Sequence, residues 1–141
     1  MAEIYRYSSF SDNTGSPKRA LVDSKRRVIF SLWPVTFYPG EQSNIPSGAD
    51  YSLVSYTVPS NYKFYLVGWT GTGSADGVFT LYKNSTKILE GRNSVAQRNI
   101  SDYFNFPAEF HAGDVITLKV RHFRSDTQSF FGALVGFSIM E

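Results

Sequence analysis

The stretch Asp114-Val115-Ile116-Thr117-Leu118-Lys119-Val120-Arg121-His122-Phe123 decides the fold class. Ile116, Leu118 and Val120 share one face while Thr117, Lys119 and Arg121 share the other, which is the two-residue period of a strand with a dry side and a wet side. Outward from it, aromatic and β-branched residues come in short runs separated by Gly, Pro, Asn, Asp and Ser, and helical periodicity is hard to find. Further candidate strands are Ile4 to Phe10, Arg27 to Phe37, Tyr51 to Val58, Lys63 to Trp69, Gly77 to Tyr82, Lys87 to Arg92, Arg98 to Phe106 and Phe130 to Met140. The run Lys63 to Trp69 is apolar on both faces, as expected of a strand central in its sheet or of one whose outer face meets another chain. Lys83-Asn84-Ser85-Thr86 is a short polar connection, so Gly77 to Arg92 reads as a hairpin. The expectation is an all-β, antiparallel two-sheet β-sandwich, Ig-like or jelly-roll, of about nine strands.

The chain of 141 residues is 42% hydrophobic and 16% aromatic, enough for a single domain, 1–141, with a substantial core. It contains no cysteine, so disulfides, thiolate metal sites and cysteine nucleophiles are excluded together. Fourteen Lys and Arg against twelve Asp and Glu leave a formal charge of +2, too little for a protein that holds nucleic acid chiefly by its charge. The start Met1-Ala2-Glu3-Ile4-Tyr5-Arg6 lacks the basic and apolar regions of a secretion signal, so synthesis and retention in a cytoplasm are expected. The longest nearly uncharged apolar stretch, Phe130 to Met140, is about half of what a membrane-spanning helix needs, and no membrane insertion is expected.

Two stretches interrupt the strand pattern. Residues 8–26 are polar, turn-rich and basic and read as a loop or arm; residues 39–50, after the Trp33-Pro34 pair, read as an irregular loop. Both are natural assembly contacts. Lys18, Arg19, Lys25, Arg26 and Arg27 stand opposed only by Asp23, so they suit either a clamp onto an acidic neighbouring subunit or a solvated loop.

Catalytic readings find little support. The two histidines, His111 and His122, have no metal-ligand spacing around them. His111 precedes Ala112-Gly113-Asp114 and reads as a solvent-facing turn residue; His122 reads as a partly buried, hydrogen-bonded histidine at the end of its strand. No nucleophile elbow, phosphate loop or zinc-protease motif is present, so no enzyme, cofactor or metal is expected. Gly71-Thr72-Gly73-Ser74-Ala75-Asp76-Gly77 superficially looks like a phosphate cradle, but it has neither the lysine nor the helix of one and reads as a flexible inter-strand loop.

The aromatic load carries more information. Trp33, Trp69, Tyr62, Tyr65, Tyr82, Tyr103, Phe104, Phe130 and Phe131 exceed what one small core needs, and surplus aromatic rings favour interfaces or sugar-stacking grooves. The series Val58-Pro59-Ser60-Asn61-Tyr62-Lys63-Phe64-Tyr65-Leu66, then Asp76 to Tyr82, then Phe110-His111-Ala112-Gly113-Asp114-Val115-Ile116-Thr117-Leu118, then Gly132-Ala133-Leu134-Val135-Gly136-Phe137 resembles the small β-sandwich proteins of tailed-phage virions. Within them it is most similar to the tail collar proteins of long, flexible-tailed phages. The likeness spans roughly residues 55–140. The Phe110 to Leu118 element also resembles the matching turn and strand of trimeric jelly rolls.

The resemblance implies a non-enzymatic virion subunit, made in the host cytoplasm, that forms a homo-oligomeric ring on the tail and touches other tail proteins or side fibres. Interface roles are then expected for Trp33, Tyr65, Trp69 and the Lys18 to Arg27 segment. The alternative is a carbohydrate-binding sandwich that contacts host-surface glycans through exposed aromatic rings.

Overall fold

The computed structural model describes the backbone of Arg6–Ser11 and Pro17–Val22 and, with side chains, residues 35–141. The chain divides into two compact units, Met1–Pro34 and Val35–Glu141. In the first, β1 (Arg6–Ser11) and β2 (Pro17–Val22) pair antiparallel, with Phe10 opposite Lys18 and Ser9 opposite Arg19. The segment 8–26, expected as a polar loop or arm, is a hairpin in its described part. Ala20-Leu21-Val22 is a strand-forming run that the flanking charges obscured, and Pro17 is tolerated as the first residue of a strand. Lys25, Arg26, Arg27 and Trp33 lie outside the described residues.

The second unit contains eight strands, not nine: β3 (Thr36–Ile45), β4 (Tyr51–Thr57), β5 (Tyr62–Gly73), β6 (Val78–Lys83), β7 (Thr86–Arg92), β8 (Ile100–Phe110), β9 (Val115–Arg121) and β10 (Gln128–Met140). They form two antiparallel four-stranded sheets, in the orders β3-β10-β5-β8 and β4-β9-β6-β7. Every successive pair of strands changes sheet except β6 and β7, which make the expected hairpin around Asn84. β5 runs between β10 and β8, so its two apolar faces have the central-strand explanation.

Residues 39–45, expected to be irregular, belong to β3 and pair with β10. Pro39 is accommodated because β3 is an edge strand, where an N–H is not needed on the open side. A bulge sets Ser43 and Asn44 against the single residue Ser129, and Asn44 takes a φ of 58° there. Those polar residues made the segment look like loop.

The core lies between the sheets. Ile116, Leu118 and Val120 are fully buried, as their alternation requires, and meet Phe64, Leu66, Phe79, Leu81, Phe130 and Leu134. Rings pack in two series: Tyr38 to Tyr56 to Phe64 to Phe110, and Trp69 to Phe79 to Phe130 to His122, with centroid separations of 4.5 to 6.4 Å. Much of the apparent surplus of aromatic residues is therefore spent inside one copy.

The Gly71 to Gly77 segment is also corrected. Gly71-Thr72-Gly73 completes β5, because a Cβ at Gly71 would stand 2.4 Å from the Phe79 ring and one at Gly73 2.2 Å from Phe130. Buried Asn93 then pins the following turn: its amide oxygen accepts the Gly77 N–H at 2.6 Å, and its Nδ2 donates to the carbonyls of Ala75 and Arg98. The glycines make room for rings.

At the other end, the His111-Ala112-Gly113-Asp114 turn has Gly113 at a φ of 87° and the Asp114 N–H bonded to the His111 carbonyl. Asp114 accepts from the His111 N–H at 2.9 Å and from Asn84 Nδ2 at 3.1 Å, and pairs with Lys83 at 3.1 Å, tying this turn to the β6–β7 hairpin. The His111 N–H, followed by Asn84 and Lys83, lowers the Asp114 carboxyl pKa to about 2 from 3.8. Because the folded value lies below the unfolded one, the stability from this ionisation is present above about pH 4 and is lost as pH falls toward 2. The urea midpoint of the wild type is expected to fall across that window, while Asp114→Asn starts lower and changes less. Parallel acid limbs in the two proteins would show that Asp114 does not contribute to them.

Candidate functional site

Where β7 and β8 each end their sheet, a cleft of about 500 Å³ opens at the edge of the sandwich. Two bulges face each other across it. In β8, four residues, Phe104-Asn105-Phe106-Pro107, lie opposite the single β5 residue Val67, between the pairs Leu66–Ala108 and Gly68–Tyr103. In β7, Ile88 is the extra residue between the pairs Leu81–Leu89 and Tyr82–Lys87. Bulged edge strands re-aim side chains and end the pairing that an edge otherwise offers.

The floor is apolar: Leu81 is fully buried, and Leu89, Phe104 and Ala108 are partly buried against the core. The rim carries Ile88, Tyr103 and Phe106, with Phe106 85% exposed at the crest of the bulge. Asp102 and Asn105 add polar groups on the β8 side, and β7 carries Lys87 and Arg92. A large exposed ring on a bulge thus stands next to an aliphatic hollow.

The expected site residues fall elsewhere. Trp69, expected at an interface, is 1% exposed in the core of a single copy, which corrects that expectation. Its ring packs on Phe79 and fits because Gly91 opposite has no Cβ, which would come within 2.9 Å of it. The Trp69 indole N–H is the one buried side-chain polar atom among the described residues without a hydrogen-bond partner. Tyr65 lies half-buried on the other face of β5, stacked on Phe137 with ring centroids 5.2 Å apart. Lys18 and Arg19 lie on β2, in the Met1–Pro34 unit. The sequence does not single out Phe106, because nothing in an aromatic residue's own neighbourhood says which face it will occupy; the signal it offers is Pro107, a residue that demands an edge or a bulge.

No family model and no curated protein matches the chain. Among solved structures, it is similar to the insecticidal delta-endotoxin Cry8Ea1 from Bacillus thuringiensis, at 14% identity and a TM-score of 0.46, over 96% of this chain and 30% of that one. A likeness that remote says nothing of function.

The histidines lie apart from the cleft's chemistry. His111 is exposed in its turn, with Nε2 3.7 Å from Glu109. His122 is fully buried, and its Nε2 lies 2.7 Å from the Ile45 carbonyl while Nδ1 accepts the Arg124 N–H at 3.2 Å. Only a ring protonated at Nε2 and bare at Nδ1 satisfies both contacts. Among the described residues, no three of His, Asp and Glu gather as a metal site would require, and no helix is long and apolar enough to cross a membrane.

Proposed function

We propose that this chain is a non-enzymatic structural subunit that associates with further copies of itself through the β7–β8 edge. The observation that carries the reading is Phe106, a projecting ring beside an apolar hollow on the same patch of one molecule. A surface with its own knob and hole can be self-complementary about a two-fold axis. Such an axis also brings the β8 lip, with Asp102, toward the β7 lip of the other copy, with Lys87 and Arg92. A polyol is a poorer occupant, because Leu81, Leu89 and Ala108 would leave its hydroxyls without partners.

The strand order, with one hairpin and sheet-changing connections elsewhere, supports the jelly-roll form of the sandwich over the Ig-like form. The resemblance to tail collar proteins supplies the setting: the two-fold contact makes a dimer, and a homo-oligomeric collar or ring on a phage tail, touching tail or side-fibre proteins, is built from such dimers through further contacts.

Light scattering on the wild type is expected to give an oligomer at tens of micromolar, and Phe106→Asp a monomer with an unchanged melting temperature. A charge forced into the hollow costs several kcal/mol at each contact, enough to shift association by orders of magnitude. A wild type that stays monomeric alone and with tail proteins, or a Phe106→Asp protein that assembles normally, overturns the reading.

A further inference from the structure

A second surface has the opposite chemistry. On the outer face of the β4-β9-β6-β7 sheet, side chains stand in transverse rows set by the strand register. One row runs Arg121, Val78, Arg92; the next Ser52, Lys119, Thr80, Glu90; the third Ser55, Thr117, Tyr82, Lys87. Val78, Thr80 and Tyr82 line the middle of this face, and charges stand at its sides. A trough of about 200 Å³ lies over Thr80 and Tyr82.

The charges around the trough are held in place. Arg121 donates from Nε and Nη2 to the two Asp50 oxygens, at 2.9 and 2.7 Å, a bidentate pair. Glu90 is gripped by Lys87 and approached by Arg92 at 3.5 Å. Lys87 accordingly leads the causes that hold the Glu90 carboxyl below its ordinary range, and Asp50 leads those that raise the Arg121 guanidinium. Lys119 sits 4.9 Å from the Tyr82 ring centre. Phe123 closes one end and is 70% exposed.

We propose that this trough is a saccharide-binding site, with a single sugar ring seated over Thr80 and Tyr82. Its volume suits one ring and falls below that of pockets for drug-sized ligands. Carboxylates already neutralised by fixed cations keep free lone pairs for sugar hydroxyls, and Arg121 keeps three of its five N–H donors. These groups meet a vicinal diol at little ordering cost, since the ion pairs hold their rotamers. Phe123 offers the apolar face of a pyranose a stacking partner. A bare anion would find both carboxylates on the walls, and an apolar ligand would strand the charged groups of Asp50, Glu90 and Arg121. The proposal does not rest on self-association through the β7–β8 edge.

The test is binding of the intact protein to a glycan array, followed by saturation-transfer NMR with the hexoses, N-acetylhexosamines and uronic acids it identifies. Asp50→Ala and Phe123→Ala are each expected to weaken binding about tenfold, the effect of losing one charged hydrogen bond or one stacking face. Met140→Ala, exposed and outside both the trough and the β7–β8 edge, is expected to bind as wild type. Melting curves exclude misfolding of Asp50→Ala, and Phe123→Ala removes only an exposed ring. Silence across the array and the free sugars, or binding that neither trough variant weakens, overturns the proposal.

Discussion

Replacing Gly40 with alanine is expected to destabilise the Val35–Glu141 sandwich by about 3 kcal/mol or more, more than removing most core methyl groups. A Cβ at Gly40 would stand 1.9 Å from the Leu53 carbonyl oxygen and 2.7 Å from its carbon. Backbone cannot swing aside as the end of a side chain can. Gly40 is opposite Gly132, and Gly132 is opposite Gly71, so three glycines form one row across β3, β10 and β5. That row lets the backbone at Leu53, the Leu118 side chain and the Phe79 ring press against the sheet. Alanine at 40 must either push β4 away or peel β3 from β10. Thermal melting should show a fall on the order of 15 °C for a domain of this size. Gly48→Ala is the control: its Cβ would meet nothing within 4 Å, and only its φ of 87° opposes the change, at about 1 kcal/mol. Equal melting temperatures for the two variants would show that the close approach at Leu53 does not exist.

The second large effect belongs to His122. Truncation to alanine leaves a hole beside Phe130, whose ring centre lies 5.7 Å away, and strips the buried Ile45 carbonyl of its donor. The bond joins the end of β9 to the end of β3, two strands in different sheets. Cavity and orphaned carbonyl together should cost about 3 to 4 kcal/mol. His122→Phe refills the space without the donor and should cost about 1 to 2 kcal/mol, so the pair of variants separates packing from hydrogen bonding. Urea denaturation with wild-type m-values measures both. If alanine and phenylalanine both fall within about 0.5 kcal/mol of wild type, the ring is not the tie between the sheets.

These two residues bear on how much of the protein was legible beforehand. Alternation in Val115–Arg121 puts Ile116, Leu118 and Val120 inside, which holds because a pleat leaves no other choice; of the wet-side residues Lys119 and Arg121 reach solvent, while Thr117 is covered by its neighbours on the outer face. The Gly113 turn and the Asn84 hairpin were visible for the same local reason, being set by backbone angles that few residues adopt. β3 was not, since Pro39, Gly40 and Asn44 are loop residues everywhere except at a bulged sheet edge. Trp69 was misassigned because its burial depends on Gly91, 22 positions away in the chain. Of the candidate cleft, Tyr103 and Phe104 are among the surplus rings of the sequence; Phe106, which crowns it, is not.

The amino-acid order alone determined that the chain is built from short antiparallel strands, which face of β9 is dry, and where the tight turns fall, because each of these follows from interactions within a few residues. Tertiary structure decided which rings stay outside. That choice depends on register: one residue of slip turns a side chain from core to solvent, and the bulges at Ile88 and Phe104 to Pro107 slip it locally. The cleft lies between consecutive strands that belong to different sheets, and the trough joins the β6–β7 hairpin to β9, so both depend on how the sheets assemble and not on a local pattern.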